Sequence, residues 1–499
     1  MCAVTTATKG RGIPDEIDRE GRSDGEVASA TRGHVRRIAL IAALGGLLYG
    51  YDTGVISGTL ISIGKDFGIG NGVKQLITAA ILAGAVLGAF CSSWLSRRIG
   101  RRRTIMIVAA VFVLGVVFAG LSPGPTTLVL SRLFLGLAVG GSTQVIPTYV
   151  AELSPRERRG RMVTLFSCAI GIGILSAAFV NVALDDVLSW RWLIMLSGVP
   201  AIVLLLGMFV LPESPRWLVH AGRDDDAGTV LRWVRRSPAD AGDELDDIRS
   251  VADREQNGGT GGGAAWSQLR ERWVRPALVA GVGVAILTQI TGLEMMIYYT
   301  PTILTQAGFP HAFALWANVG VGAVYLLMTF IGSRLVDRIG RRRLPLLTLP
   351  FSAASLAAFG ALFLFGGDHL NPVLSLLFLL LFMFFQSGGL QVIGWLLESE
   401  LYPLTVRPAA TSLQAMTLWG SDLLVTVTAL TLVLWLGLGG AMWVYAGLNV
   451  VAWVFIFFRL PETKNRSLED IERSLRDGVF LPRVGRRKAA PEAEGAAAS

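Results

Sequence analysis

About twelve apolar runs, each close to the length that crosses a bilayer as a helix, leave this chain few ways to fold. They lie at residues 38–58, 76–95, 104–121, 128–150, 162–184 and 192–211, then at 278–296, 313–336, 344–365, 373–397, 409–436 and 441–458. A helix needs ~20 mostly apolar residues to span the hydrocarbon core. The chain has 499 residues, of which 52% are hydrophobic and only 16% charged. A water-soluble protein of this size would divide into domains with polar surfaces, so lipid is the solvent here. An all-α membrane protein with 12 transmembrane helices is expected. Residues 1–33 are polar and mixed in charge, with no early signal peptide. Residues 483–499 are Ala/Pro/Glu-rich and are expected to be disordered.

The net charge of +8 suggests nucleic acid, but its distribution argues against that partner. The arginines sit in short loops between apolar runs: Arg32, Arg36 and Arg37 before the first, residues 97–103 after the second, 156–161 after the fourth and 338–343 after the eighth. The alternate loops carry Lys65, Asp185-Asp186, His311 and Asp368. The positive-inside rule then places both termini and every Arg cluster in the cytoplasm, in a multi-pass cell-membrane protein. Cys91 and Cys168 fall within apolar runs and Cys2 in the tail; the four histidines are scattered. Neither a disulfide framework nor a metal site is expected.

The two sets of runs echo one another. Arg-Ile-Gly-Arg-Arg-Arg occurs at 98–103 and again at 338–343; Glu152-Leu153-Ser154-Pro155 returns as Glu400-Leu401-Tyr402-Pro403; Leu211-Pro212-Glu213 returns as Leu460-Pro461-Glu462. Three echoes in one order mark two halves of one design, the pattern of secondary transporters with a site between the halves. The expected organisation is a tail at 1–35, a six-helix bundle at 36–218, a cytoplasmic helical linker at 219–275, a second bundle at 276–460 and a tail at 461–499. The linker holds Asp224-Asp225-Asp226, Asp246-Asp247 and a Gly-rich stretch at 258–263. No Gly-Lys-Ser/Thr follows that stretch, so it is no phosphate loop. No nucleophile–base set rises above background either, and neither an enzyme nor a cofactor is expected.

Several motifs carry a resemblance. They are Gly45-Gly46-Leu47-Leu48-Tyr49-Gly50-Tyr51-Asp52-Thr53, Arg132 opening a Gly-rich run that ends in Pro147-x-Tyr149-x-Ala151-Glu152, and Pro212-Glu213-Ser214-Pro215-Arg216-Trp217. Further along come Gln289-x-x-Gly292 with Tyr298-Tyr299, and Pro461-Glu462-Thr463-Lys464. From Gly45 to Ile471 the chain resembles the sugar porter family of the major facilitator superfamily. The resemblance implies two six-helix bundles, alternating access and a polyhydroxylated substrate. Departures fall on positions that touch sugar in that family. Two glutamines of helix seven read Thr288-Gln289, and the Asn that follows is Glu294. Helix eight's Asn is Tyr325, helix five's Gln is Ser167, and a helix-eleven Asn is Asp422. The helix-ten Gly-Pro-x-Pro-Trp reads Gln391-Val392-Ile393-Gly394-Trp395.

Four carboxylates lie in or at the edge of apolar runs: Asp52, Glu294, Glu398 and Asp422. Each costs roughly 2.5–3.5 kcal/mol at a helix centre and is a functional candidate by default. Counting ~1.5 Å per residue puts Asp52 and Asp422 about 20 Å from the inner helix ends, near mid-membrane. Asp52 is the proton-coupling candidate with Arg132 as the partner the resemblance implies; a permanent ion pair that only orders the bundle is the alternative. Glu294 and Asp422 suit an amine on the substrate, hydrogen bonds from neutral carboxyls to hydroxyls, or a second proton site. Gln289 offers a donor and an acceptor to hydroxyls, and Trp395 a flat face for a sugar ring. Thr288, Tyr298 and Ser167 complete the binding set. At the inner ends, Glu152 with Arg159 and Glu400 with Arg407 are candidates for gating ion pairs, joined by Asp337 and Arg98 of the repeated loop. The leading expectation is a monomeric, proton-coupled importer of a sugar or polyol, with substrate, protons and membrane lipid as its partners. A facilitator or exporter of another small solute, one bearing an amine included, and a non-transporting nutrient sensor are the alternatives.

Overall fold

The computed structural model describes residues 24–155, 159–235, 237–257, 267–366, 371–403, 406–464, 466 and 468–480, and every regular element among them is a helix. The first half comprises α1 (Asp24–Phe67), α2 (Asn71–Ile99), α3 (Arg101–Gly120), α4 (Pro125–Leu153), α5 (Arg159–Leu184), α6 (Trp190–Leu196) and α7 (Gly198–Met208). Short helices follow: α8 (Pro215–His220), α9 (Asp224–Val234) and α10 (Pro238–Asn257). The second half comprises α11 (Arg275–Ile290), α12 (Leu293–Gln306), α13 (His311–Ile339), α14 (Arg343–Phe365), α15 (Pro372–Gly388), α16 (Leu390–Glu400) and α17 (Arg407–Arg459), and α18 (Leu468–Arg476) ends the described chain. The expected Gly-rich stretch at 258–263, together with Asp368 and residues 156–158, lies outside the described residues.

Among the described residues eleven segments are long and apolar enough to cross a membrane; α6–α7, α11–α12 and α15–α16 each form one of them. The last, Ala409–Arg459, has 51 residues. As a single rod it would measure ~77 Å, more than twice the ~30 Å core. Gly437, at φ 69° and ψ 168°, breaks it into two, which makes the twelve crossings the sequence predicts. Each half packs chiefly on itself, and α2–α17, α5–α13 and α1–α12 join the halves. With lipid on the outside, hydrophobicity does not drive helix against helix, so close approach of small residues does. A Cβ on Gly50 of α1 would lie 1.9 Å from the Ile170 carbonyl oxygen of α5, and one on Gly140 of α4 would lie 2.0 Å from that of Ala85 in α2.

The three sequence echoes meet in space, once in each half. In the first, the backbone N–H groups of Arg101, Arg102 and Ser214 donate to Glu213 Oε1 at 2.8, 3.0 and 2.9 Å. This carboxylate caps the start of α3, where exposed N–H groups and the helix dipole favour an anion. Burial pushes the Glu213 carboxyl above its ordinary value, against the pull of those donors and of Arg101. Arg101 pairs with Glu152 at 3.0 Å, and Ser214 Oγ donates to the same carboxylate. In the second half Glu462 accepts from the N–H groups of Arg341, Arg342 and Lys464 at 2.8, 3.2 and 3.2 Å. Arg341 pairs with Glu400 at 2.7 Å, and Thr463 Oγ1 donates to Glu400 at 2.8 Å. The repeated Gly is required by contact and conformation together. Gly100 and Gly340 sit at φ 99° and 114°, and a Cβ on them would lie 2.2 Å and 2.4 Å from Glu213 and Glu462.

Glu152 and Glu400 thus pair with Arg101 and Arg341, the fourth residues of the two hexapeptides. Arg407 donates to the Tyr402 carbonyl at 3.0 Å, and the Arg159 side chain lies outside the described residues. Asp337 is an exposed (i, i+4) partner of Arg341 at 3.0 Å. Arg98 stacks over the Trp94 ring at 4.4 Å, a cation–π contact.

Two substitutions test this packing. Gly50→Val should cost at least about 1–3 kcal/mol through overpacking of α1 on α5, read as a lower Tm in detergent. Gly340→Ala should lower stability by more than about 1 kcal/mol, since its φ is left-handed; an unchanged Tm would refute the capping role of Glu462.

Candidate functional site between the two halves

Tyr49, Asp52 and Thr53 share one face of α1, because residues three and four apart line up along a helix. Asp52 and Arg132 of α4 form a fully buried pair, Nη1 to Oδ1 at 2.8 Å, with 1% and 0% exposure. Arg132 Nε and Nη2 find no hydrogen-bond partner among the described residues. Breaking such a pair strands a charge in a medium that cannot solvate it, so one carboxylate oxygen holds the guanidinium in place.

Thr53, the next residue, lines a pocket between the halves. The first half contributes Tyr49, Thr53, Ile170 and Ile174; the second contributes Gln289, Glu294, Ile297, Tyr325, Gln391, Leu418 and Asp422. It is narrow, with room for about one water at its centre. Gln289 and Glu294 flank a helix break at Thr291-Gly292, and the break is clamped from three neighbouring helices. Asn449 Nδ2 donates to the Thr291 carbonyl at 2.9 Å, and Gln386 Nε2 donates to Thr291 Oγ1 at 2.5 Å. Ser352 Oγ lies 2.9 Å from Gln386 Oε1 and 3.1 Å from Asn449 Oδ1. A broken helix in lipid needs such donors for its freed carbonyls.

The structure therefore brings Gln289, Glu294 and Asp422 of the expected binding set to one pocket, with Asp52 one residue behind its wall. Thr288 is buried behind it, donating to the Ala285 carbonyl at 2.8 Å and packing on Gly394. Tyr298 is buried against Tyr299 and Ser167 is half-buried; neither lines the pocket. The Trp395 side chain lies outside the described residues, though Gln391, one turn earlier on α16, does line it. Tyr49, Thr53, Tyr325 and Gln391 join the expected set: the resemblance had already marked Tyr325 and the Gln391 motif, whereas Tyr49 and Thr53 flank Asp52 on its helix face. Glu398 stays apart, half-buried on α16 with an unpartnered Oε1. No cluster of three or more metal-ligating side chains occurs among the described residues.

Polar contacts tie the halves together at the end away from the Arg clusters. Gln75 of α2 donates to the Val427 carbonyl of α17 at 2.7 Å and accepts from Thr431 at 3.0 Å. Gln306 donates to Asn71 at 2.8 Å, and His311 meets Asp185 at 2.8 Å. The apolar packing agrees. One core runs through the first half into this end of the second, while the Arg-rich end of the second half has a separate core. Tyr49 meets Trp419 edge to face at 5.6 Å across the same seam.

Residues 38–475 match the family model described as "Sugar (and other) transporter". The galactose-proton symporter of Escherichia coli K12 is 37% identical over 455 residues, which cover 90% of this chain and 96% of that protein. The D-xylose transporter of Levilactobacillus brevis is 35% identical over 88% of this chain and 95% of its own length. Among solved structures, the proton:xylose symporter XylE bound to 6-bromo-6-deoxy-D-glucose aligns at TM-score 0.74 and 26% identity, covering 89% of this chain and 99% of that one. The family, the two-half helical architecture and the motif set agree: this chain is a member of the sugar transporter family within the major facilitator superfamily.

Proposed function

We infer that the protein carries a sugar or polyol together with a proton across the cell membrane, exposing one pocket alternately to either side. The observation that carries this reading is the buried Asp52–Arg132 pair, one residue behind the wall of a pocket built jointly by both halves. Family members with a galactose-proton symporter's or proton:xylose symporter's name support the same assignment. Asp52 is the group that binds and releases the proton. When it is charged, Arg132 holds it; when it is neutral, that hold weakens and α1 is free to shift against α4. Burial disfavours a bare charge, so each change of hydration in the cycle changes which form is favoured. Substrate widens the narrow pocket, and the polar ties at the end away from the arginines part as the halves rock. The Arg-rich ends face the cytoplasm, as the basic loops require, with both termini there and a monomer as the working unit.

Proteoliposome uptake of a labelled sugar and polyol panel, with and without an inward proton gradient, tests the coupling. Gradient-driven accumulation is expected in the wild type and should fall at least tenfold in Asp52→Asn, while counterflow exchange persists. Wild-type uptake that only equilibrates, whatever the gradient, would make the protein a facilitator. A second test addresses the seam. Gln75→Ala removes two hydrogen bonds worth about 1 kcal/mol each. It should broaden the distance distribution between spin labels at the exposed positions Val187 and Val373 toward longer separations.

A further inference from the structure

Glu294 and Asp422 reach one pocket from α12 and α17, and they are 6% and 1% exposed. No Lys, Arg or His among the described residues lines that pocket. Among the described residues neither acid has an ion-pair partner, and Asp422 accepts one hydrogen bond, from Thr426 at 3.3 Å. A second observation points the same way. Gln289 and Gln391, 2% and 6% exposed, line the same pocket, and each has an Oε1 without any hydrogen-bond partner. Against two carboxyls and two amide oxygens the wall sets only the hydroxyls of Tyr49, Thr53 and Tyr325 and no positive charge, a surplus of acceptors.

Ligand chemistry follows from that surplus. A hydroxyl brings one donor and two acceptor lone pairs, and it carries no charge. With hydroxyls alone, both carboxyls lack a counter-charge and can stay buried there only by taking up protons. An ammonium brings three donors, no acceptor and the missing positive charge. We propose that the pocket takes a polyhydroxylated substrate bearing a protonated amine, an amino sugar or aminocyclitol, with its ammonium between Glu294 and Asp422 and its hydroxyls on Gln289 and Gln391. This assignment rests on the transport reading above and narrows it. Asp52, already paired with Arg132, keeps its separate role with the proton.

The test uses the full-length protein in proteoliposomes, with D-glucosamine against D-glucose and scyllo-inosamine against scyllo-inositol. N-acetyl-D-glucosamine serves as the capped, uncharged control. At neutral pH at least one amine should exceed its neutral parent tenfold or more in kcat/KM, and N-acetylation should abolish the advantage. Glu294→Gln and Asp422→Asn should each bring the amine-to-neutral ratio toward one; the ratio, rather than either rate, is the readout. If those variants take up no probe, Glu294→Asp and Asp422→Glu must restore the preference, and their failure to do so overturns the proposal. Equal or better uptake of the neutral parents overturns it while leaving the transport reading intact. So does a drop in protons carried per sugar in Glu294→Gln without any amine preference, which would make the acids a second proton site. Uptake of neither class by the wild type overturns both readings.

Discussion

A charge in hydrocarbon must find a counter-charge, a set of donors or a proton, and the acids of this protein divide by which of these they have. Glu213 and Glu462 have backbone N–H groups at helix starts. Glu152 and Glu400 have arginines. Asp52 has Arg132. The first four stay partnered within their own half, so they fix the inner ends of α3, α4, α14 and α16 and leave each half free to move as a body. Asp52 is bound by one bond to a guanidinium with two idle nitrogens, a partnership that protonation can undo. Among the described residues Glu294 and Asp422 have no ion-pair partner, and both line the pocket.

The crossings and the two-half design were legible in the sequence, because bilayer thickness and the loop arginines write them into residue order. The repeated hexapeptide was legible as a repeat but not as a structure. Nothing local to Arg101 says that its partner is Glu152, 51 positions away, or that Gly100 exists to admit Glu213 across 113 positions. The pocket was half legible. Carboxylates inside apolar runs announced themselves, whereas Tyr49 and Thr53 are ordinary residues of a helix face until the opposite half is placed against them. The break at Gly437 was read as the gap between two runs, but its lack of any loop was not.

The two apolar cores describe one stage of a cycle. Where the halves share a core, polar ties from Gln75, Asn71 and Asp185 reinforce the closure. Where the second half keeps a core of its own, its Arg-rich end is internally complete. Closure at one end together with separate packing at the other is the geometry expected of a pocket shut on one side, and the narrowness of that pocket fits the same stage.

The turn at Gly437 has a consequence for the pocket. With no loop between its two arms, α17 turns at a single glycine. One arm carries Asp422 at the pocket, and the other carries Asn449, whose amide grips the Thr291 carbonyl at the break beside Glu294. One helix pair thus reaches both acids of the pocket, Asp422 by its own side chain and Glu294 through the bond that Asn449 makes at the neighbouring break.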